Sequence, residues 1–338
     1  MTQPSEEHDG LRVPVGIILY VNRSGSTLLS RIIADVLADV FVFPELRFTL
    51  DLLVARRARR RIPTDTLISL MLADPRLASL GLSNAQIATA AKRHGADDLH
   101  PLLTALATAA LGRRPAALIL KLEPYVAFVP ELDAAFDTPL LIHALRDLRA
   151  VARSMRATPV PEKPGFDMAR GSLLYAARHW RNHCRRIEAI AAHRPMITAR
   201  YETLADPVPA AVRMIVEALG VPLADGSGTR FTVAPIDAAL HRNINAPFDP
   251  ERDTQWRDDL KPSEIALIET ICGAEMARAG YRTTADPLSR PALLLAQPIH
   301  LRALASHTAR TVLTYARRRG GIRQLISRLR LARSTGEL

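Results

Sequence analysis

The chain has 338 residues, 48% of them hydrophobic, and a formal net charge of +11 from 45 basic and 34 acidic residues. That hydrophobic share is enough for a sizeable core and excludes a disordered or fibrous chain. The two cysteines, Cys184 and Cys272, form no Cys-x-x-Cys pair, which argues against a disulfide framework, a zinc ribbon or an iron–sulfur centre. The acidic N-terminus lacks the pattern of a signal peptide, and no apolar run reaches about 18 residues. We therefore expect a cytoplasmic protein without a membrane span.

The basic residues are biased both in type and in position. Only four of the 45 are lysines, and residues 298–338 contain nine arginines against one acid, Glu337. This tail also has apolar residues at helical spacing, which predicts two amphipathic helices over about 301–315 and 322–329. We expect the tail either to touch an anionic membrane surface or to pack on its own domain or a partner.

The N-terminal part of the chain predicts one strand–loop–helix–strand unit. Residues 13–21 are an apolar, β-rich run without alternation, which is typical of a strand buried on both faces of a parallel sheet. A polar turn, Asn22 to Thr27, separates this strand from helical spacing over 28–40. Residues 41–43 then predict a second strand, which Pro44 ends.

The remaining elements continue this alternation of strands and helices. Residues 50–115 are rich in Leu, Ala and Arg and predict a helical insertion. Further strands are expected at 117–121, 139–145 and 196–200, and further helices at 148–156, 171–192, 207–219 and 262–280. Prolines and glycines predict a loop at 157–170, and 221–260 is expected to be irregular. The pattern indicates an α/β three-layer fold with a central parallel sheet. We expect one domain over 11–287 and a basic helical extension over 288–338.

The turn after the first strand has the chemistry of an anion site. Backbone N–H groups and the helix dipole favour an anion there, and Gly25 lets a phosphate approach the backbone closely. The side chains of Arg23, Ser24, Ser26 and Thr27 add a cation and three hydroxyl groups. Three interpretations remain open: an ordinary capped β–α turn, a metal-dependent kinase, or a phosphate loop for metal-independent group transfer. The kinase motif G-x-x-x-x-G-K-[ST] needs a lysine where this chain has Ser26.

Four segments resemble sulfotransferases that use 3'-phosphoadenosine 5'-phosphosulfate (PAPS). The run from Arg23 to Leu29 resembles their 5'-phosphosulfate loop. The run from Arg146 to Ser154 resembles their 3'-phosphate motif, with Leu148 where the family often has proline. Two later segments are also similar to sequences of this family. One runs from Arg200 to Leu204 and is followed by Asp206-Pro207. The other runs from Trp256-Arg257 to Gly280-Tyr281. The resemblance spans about residues 13–285.

The resemblance implies a P-loop-like fold and transfer of a sulfuryl group to a hydroxyl acceptor, without a metal. The acceptor is expected to be a small molecule, a glycan or a peptide, and no nucleic acid partner is expected. The implied nucleotide-binding residues are Arg23, Ser24, Gly25, Ser26, Thr27, Arg146, Ser154, Tyr201, Trp256 and Arg257. Trp180 has two interpretations, a place near the adenine or a place in the core.

Three residues are implied to carry the chemistry. Glu45 follows the second strand, where the tyrosylprotein and glycan sulfotransferases have a catalytic base, and Arg47 could hold it. Lys121 ends the third strand, and together with Arg23 it is expected to stabilise charge on the transferring oxygens. Other sulfotransferases use a histidine as base, and His143 is the nearest rival, although a strand interior is a poor place for a base.

Two alternative functions remain open, and the role of one arginine cluster is undecided. The rivals are the metal-dependent kinase and a non-catalytic membrane or nucleic-acid adaptor that works through the basic tail. Five arginines follow the Glu45 segment and are expected either to face an anionic acceptor or to form a solvated helix face: Arg56, Arg57, Arg59, Arg60 and Arg61. The insertion 50–115 and the loop 157–170 are expected to shape the acceptor site.

Overall fold

The fold is built around one parallel sheet, as expected from the buried apolar runs. A computed structural model describes residues 12–316 except 161–165, 207, 225–230, 232, 242–247 and 250. The strands are β1 (Val15–Tyr20), β2 (Val40–Val42), β3 (Ala117–Lys121), β4 (Leu140–Leu145) and β5 (Met196–Arg200). Their order in the sheet is β2-β3-β1-β4-β5, and every neighbouring pair is parallel. The predicted three-layer α/β class is confirmed.

Helices connect the strands and cover both faces of the sheet. They are α1 (Ser26–Val36), α2 (Phe48–Arg57), α3 (Thr64–Leu72), α4 (Pro75–Ala78), α5 (Asn84–His94), α6 (Leu99–Leu111), α7 (Val129–Phe136), α8 (Leu148–Ala157), α9 (Leu173–Ala191), α10 (Ala210–Leu219), α11 (Glu251–Thr254), α12 (Trp256–Asp259), α13 (Pro262–Arg278) and α14 (Arg290–Ala316). The prediction for α1 was misplaced at both ends. The helix begins directly after a left-handed turn at Gly25, and it ends before Leu37, which is extended and fully buried.

Three groups of buried side chains hold the layers together. On one face of the sheet, α1 and α10 pack against β1, β4 and β5. On the other face, α2, α6 and α7 cover β1 and β3. Helices α8, α9 and α13 enclose a third group that contains Trp180 and Trp256. Because both faces of the sheet are covered, β1 is buried along its whole length and β4 is buried after its first residue, which explains why these strands read as near-continuous apolar runs.

The predicted helical insertion is confirmed as α2 to α6. Among its described residues, the predicted irregular region holds a 3₁₀ turn at Pro235–His241 and the one-turn helices α11 and α12. The tail begins as α14, which packs against α9. The helix expected over 322–329 lies outside the described residues, and the boundary at 287/288 stays a prediction. None of the described helices is both long and apolar enough to span a bilayer.

Candidate active site

The candidate site lies at the carboxyl edge of the sheet, where open parallel sheets bind ligands. Four neighbouring strands end there. β1 leads into the Asn22–Thr27 turn, β3 ends at Lys121, and β4 and β5 lead into Arg146 and Tyr201. Residues separated by more than 100 positions in the chain therefore share one edge.

The turn after β1 has the geometry of a phosphate loop. Gly25 occupies the N-cap of α1 with φ +84°, so no side chain caps the first turn of the helix. A Cβ atom on Gly25 would lie 2.4 Å from Cδ2 of Tyr201, which means that only glycine fits. Ser24, Ser26 and Thr27 are all buried. The uncapped N–H groups of α1 disfavour the ordinary capped turn and suit an anion.

The two predicted phosphate motifs meet in space. Arg23 donates from Nε to Oγ of Ser154 at 3.0 Å, and Arg146 donates to the backbone oxygen of Arg23 at 3.2 Å. Arg23 also donates to the carbonyl of Leu240. Burial lowers the pKa of Arg23, and the neighbouring Arg146 guanidinium lowers it further. Two cations are thus held side by side in a poorly solvated place, which is the arrangement that an anion would stabilise.

Arg146 is held from several sides. Its guanidinium lies 3.8 Å from the centre of the Tyr201 ring and 3.1 Å from the Asp253 carboxylate. The indole of Trp180 donates to the carbonyl of Arg146 at 3.1 Å. Trp180 is 1% exposed, so its interpretation as a core residue that fixes the Arg146 backbone is the one the structure supports.

Lys121 and Thr27 join the carboxyl end of β3 to the first turn of α1. The ammonium group of Lys121 donates to Oγ1 of Thr27 at 2.8 Å, and the lysine is 4% exposed. Burial lowers its pKa to about 8, and the nearby carboxylates of Glu45 and Asp237 limit the decrease. Lys121 is therefore a buried cation close to Glu45, as the proposed chemistry requires.

Glu45 is partly buried and is positioned by a neighbour that was not predicted. The hydroxyl of Tyr20 donates to Oε1 of Glu45 at 2.6 Å, and burial together with this carboxylate raises the pKa of Tyr20. Arg47 is exposed. The rival base His143 lies inside the core, 5.4 Å from the ring of His183, and burial lowers its pKa to about 4.

Two further ion pairs near this edge were not found from the sequence. His179 on α9 lies 3.0 Å from Glu123, which follows β3, and the ring of Tyr175 stacks on the His179 ring. Arg76 of α4 makes two 2.7 Å hydrogen bonds with Asp237 and joins the insertion to a 3₁₀ turn at Pro235–His241. The only signal for Glu123 was its place two residues after Lys121.

Trp256 and Arg257 are placed beside α8. Trp256 is 4% exposed, and the Arg149 guanidinium lies 4.1 Å from the centre of its ring. Arg257 is exposed, 5.4 Å from the same ring. Neither of these ring contacts involves the turn after β1, and the nucleotide-binding role of Trp256 and Arg257 stays a prediction. Among the residues that the structure describes, no group of three His, Cys, Asp or Glu side chains could hold a metal ion.

The comparison with known proteins identifies the family. A family model described as "Sulfotransferase family" matches residues 16–225, which include the turn after β1, Lys121, Arg146 and Tyr201. The chain belongs to the sulfotransferase family. The more specific likeness to tyrosylprotein and glycan sulfotransferases stays a prediction. No curated protein matches the sequence significantly.

Solved structures agree with this fold. The sulfotransferase domain of the olefin synthase of Synechococcus PCC 7002 superposes with a TM-score of 0.56 at 21% identity, covering 84% of this chain and 100% of that one. The sulfotransferase domain from the curacin biosynthetic pathway also gives a TM-score of 0.56, at 16% identity, covering 81% of this chain and 99% of that one. At these identities the likeness shows the fold.

Proposed function

We propose that the protein is a PAPS-dependent sulfotransferase that moves a sulfuryl group to a hydroxyl acceptor and releases adenosine 3',5'-bisphosphate (PAP). The observation that carries this proposal is the convergence of Arg23, Ser154 and Arg146 at the edge of the sheet beside an uncapped helix N-terminus. A nucleotide with phosphates at both ends of its ribose needs two adjacent anion sites, and the two motifs supply them.

The binding residues divide between the two phosphate ends. The turn from Arg23 to Thr27 would hold the 5' end, and Arg146 with Ser154 would hold the 3'-phosphate. Tyr201 stacks on Arg146 and fixes the guanidinium plane. When bound, PAPS supplies the activated sulfuryl group, so the protein's part is to orient the reactants and to stabilise charge.

Glu45 is the proposed base for the acceptor hydroxyl. The Tyr20 hydroxyl orients its carboxylate, which would accept the proton as the hydroxyl oxygen attacks. Lys121 and Arg23 would stabilise the negative charge that develops on the oxygen between phosphorus and sulfur as that bond breaks. Thr27 holds the ammonium of Lys121 at the first turn of α1, which directs it toward the phosphosulfate end.

Calorimetric titration with PAP tests the nucleotide site. Arg146→Ala should weaken PAP binding by at least about 1.5 kcal/mol, the scale of one charged hydrogen bond. The matched control is Arg113→Ala, because Arg113 is an exposed arginine paired with Asp39 away from the site. Unchanged affinity in Arg146→Ala would refute the phosphate role of this residue.

Glu45→Gln separates binding from transfer. This variant should bind PAP as the wild type does and should not sulfurylate any acceptor, because the amide cannot take the proton. Incubation with PAPS and an extract of the producing cell, followed by mass spectrometry, would show which molecule gains a sulfuryl group. Normal transfer by Glu45→Gln would remove Glu45 from the mechanism.

Thermal unfolding of the wild-type protein distinguishes the sulfotransferase from the kinase alternative. PAP should raise the melting temperature of the wild type, and ATP with magnesium should not. The reverse result would favour a metal-dependent kinase, which the family match already disfavours.

A further inference from the structure

The helical insertion contains a cluster of arginines around one cavity. A cavity of about 290 Å³ lies between the end of α2 and the segment that joins α5 to α6. Leu52 and Ile62 contribute apolar walls. Four arginines line the cavity: Arg56, Arg59, Arg60 and Arg61. We call this cavity the arginine pocket.

The arginine pocket has more positive charge than its surroundings neutralise. Asp97 is the single acid among the lining residues. Arg56 donates to the backbone oxygen of Asp97 at 2.6 Å, and Arg61 lies 3.9 Å from its carboxylate with both side chains exposed. Among the described residues, the side chains of Arg59 and Arg60 pair with no acid. Arg59, Arg60 and Arg61 are exposed, so solvent screens their mutual repulsion, but four guanidinium groups around one cavity still favour an anion between them.

The backbone at Arg59 has a conformation that favours glycine. Arg59 has φ +50° and follows α2, where its N–H binds the oxygen of Arg56 and the next N–H binds that of Ala55. These two bonds are those of a Schellman motif, whose left-handed position usually holds glycine. Helices α6 and α10 of this chain use Gly112 and Gly220 at such a position. An arginine there costs stability relative to glycine, so Arg59→Gly should stabilise the chain unless its guanidinium is needed.

The arginine pocket is distinct from the sulfuryl-transfer site. Helix α2 begins near Glu45 at the carboxyl edge of the sheet and runs for 10 residues, about 15 Å, before the pocket. The pocket residue Asp97 precedes α6, whose His100 binds the backbone oxygen of Val13, just before β1 begins. Arg59 to Ile62 follow the last turn of α2, so most of the pocket lies at the opposite end of this helix from Glu45.

We propose that the arginine pocket binds a small organic anion that has a compact phosphate or carboxylate head and a short apolar part. Guanidinium forks of Arg59 and Arg60 match such a head group, and Leu52 with Ile62 would cover its apolar part. The cavity volume corresponds to a ligand of a few to about ten heavy atoms, at the lower end of ligand sites. This inference does not depend on the proposed sulfuryl transfer.

Arg59→Gly is a sharp test, because it should have two opposite effects. Glycine suits the left-handed backbone, so the variant should unfold at a higher denaturant concentration than the wild type. The same variant should bind phenyl phosphate at least about tenfold more weakly in calorimetry, since a charged hydrogen-bond donor is lost. Inorganic phosphate should bind the wild type more weakly than phenyl phosphate, because it leaves Leu52 and Ile62 uncovered.

Arg146→Ala is the matched control, because it alters the nucleotide site and leaves the arginine pocket intact. It should retain the Arg59-dependent binding of phenyl phosphate. The proposal is overturned if Arg59→Gly binds the probe as tightly as the wild type, if only Arg146→Ala loses binding, or if the wild type does not bind at millimolar concentrations. Loss of PAP binding in Arg146→Ala tests the nucleotide site separately.

Discussion

Arg23 and Arg146 form a buried pair of like charges whose arrangement costs folding energy. Each guanidinium is surrounded by backbone oxygens, and Asp253 is the acid paired with Arg146. Removing water from two cations and placing them together opposes folding. A phosphate-bearing ligand would reverse that penalty, so a stability cost in the free protein becomes affinity for the ligand. The pKa of Arg23 is lowered because burial and the neighbouring Arg146 both disfavour its charged form.

Gly25→Ala should damage the phosphate loop more than its backbone angle alone explains. The new Cβ would meet Tyr201 at 2.4 Å, and the positive φ adds a penalty of about 1 kcal/mol. Gly81→Ala is the control, because Gly81 has φ +71° and open space around its Cβ position. Denaturant unfolding should show a loss at Gly25 that exceeds the loss at Gly81 by about 1–3 kcal/mol. Equal losses would mean that Tyr201 moves away freely.

The pH dependence of transfer should report on Lys121. Its folded pKa of about 8 means that the ammonium is charged below pH 8 and becomes neutral above it. The kcat/KM for sulfuryl transfer, which reports the free enzyme, should therefore fall as the pH rises through about 8. Lys121→Arg keeps a charge at all these pH values, so any activity that it retains should lack this decrease. A wild-type profile that is flat from pH 7 to 9.5 would contradict the role of Lys121.

At the scale of elements, the insertion is fastened to the region that follows β5 by one buried ion pair. Arg76 of α4 and Asp237 of the 3₁₀ turn are 6% and 13% exposed and share two hydrogen bonds. The turn also places Leu240, whose carbonyl accepts a bond from Arg23. The phosphate site and the insertion therefore depend on the same turn.

Asp237→Asn should lower the free energy of unfolding by about 3 kcal/mol, because it removes the carboxylate charge that two hydrogen bonds join to the buried Arg76 guanidinium. Asp39→Asn removes a carboxylate from the exposed Arg113 pair and should cost under about 1 kcal/mol. Urea denaturation of both variants gives the comparison. If the two losses are similar, the buried pair does not hold the insertion in place.

The sequence predicted the elements that have a local signal and missed the contacts that do not. The limits of β3 and β5 were correct, because each is an apolar run that ends in a basic residue. The turn between β1 and α1 was predictable because its residues are consecutive, and its phosphate-binding role stays a prediction. The bond from Arg76 to Asp237 joins residues 161 positions apart, and the pair of His179 with Glu123 depends on how α9 rotates on the sheet. Such contacts are decided by packing, which no local pattern records.

At the scale of the whole molecule, the tail should be separable from the catalytic domain. Among the elements that the structure describes, α9 is the main partner of α14, and the helix leaves Leu294, Leu295 and Leu301 more than half exposed. A chain that ends at Ser289 should unfold cooperatively and bind PAP with unchanged affinity. Calorimetry and circular dichroism would check this. Loss of cooperative unfolding would mean that the domain needs α14 in order to fold.

The same truncated chain tests the lipid alternative for the tail. The full chain should sediment with vesicles that contain phosphatidylglycerol and stay in solution with neutral vesicles, because arginines need anionic lipid. The truncated chain should not sediment with either. Equal sedimentation of the two chains would refute a membrane role for the tail.

The central position of β1 has a consequence for how the protein is made. Val15 of β1 pairs with Leu118 of β3, and Gly16 pairs with Leu140 of β4. The first strand to be synthesised therefore cannot pair until β3 and β4 have been made. At about 5–20 residues per second, the ribosome needs roughly 6 to 25 s to pass from Tyr20, the end of β1, to Leu145, the end of β4. During that interval the apolar edges of β1 lack their partners, which is when a nascent chain most needs a chaperone.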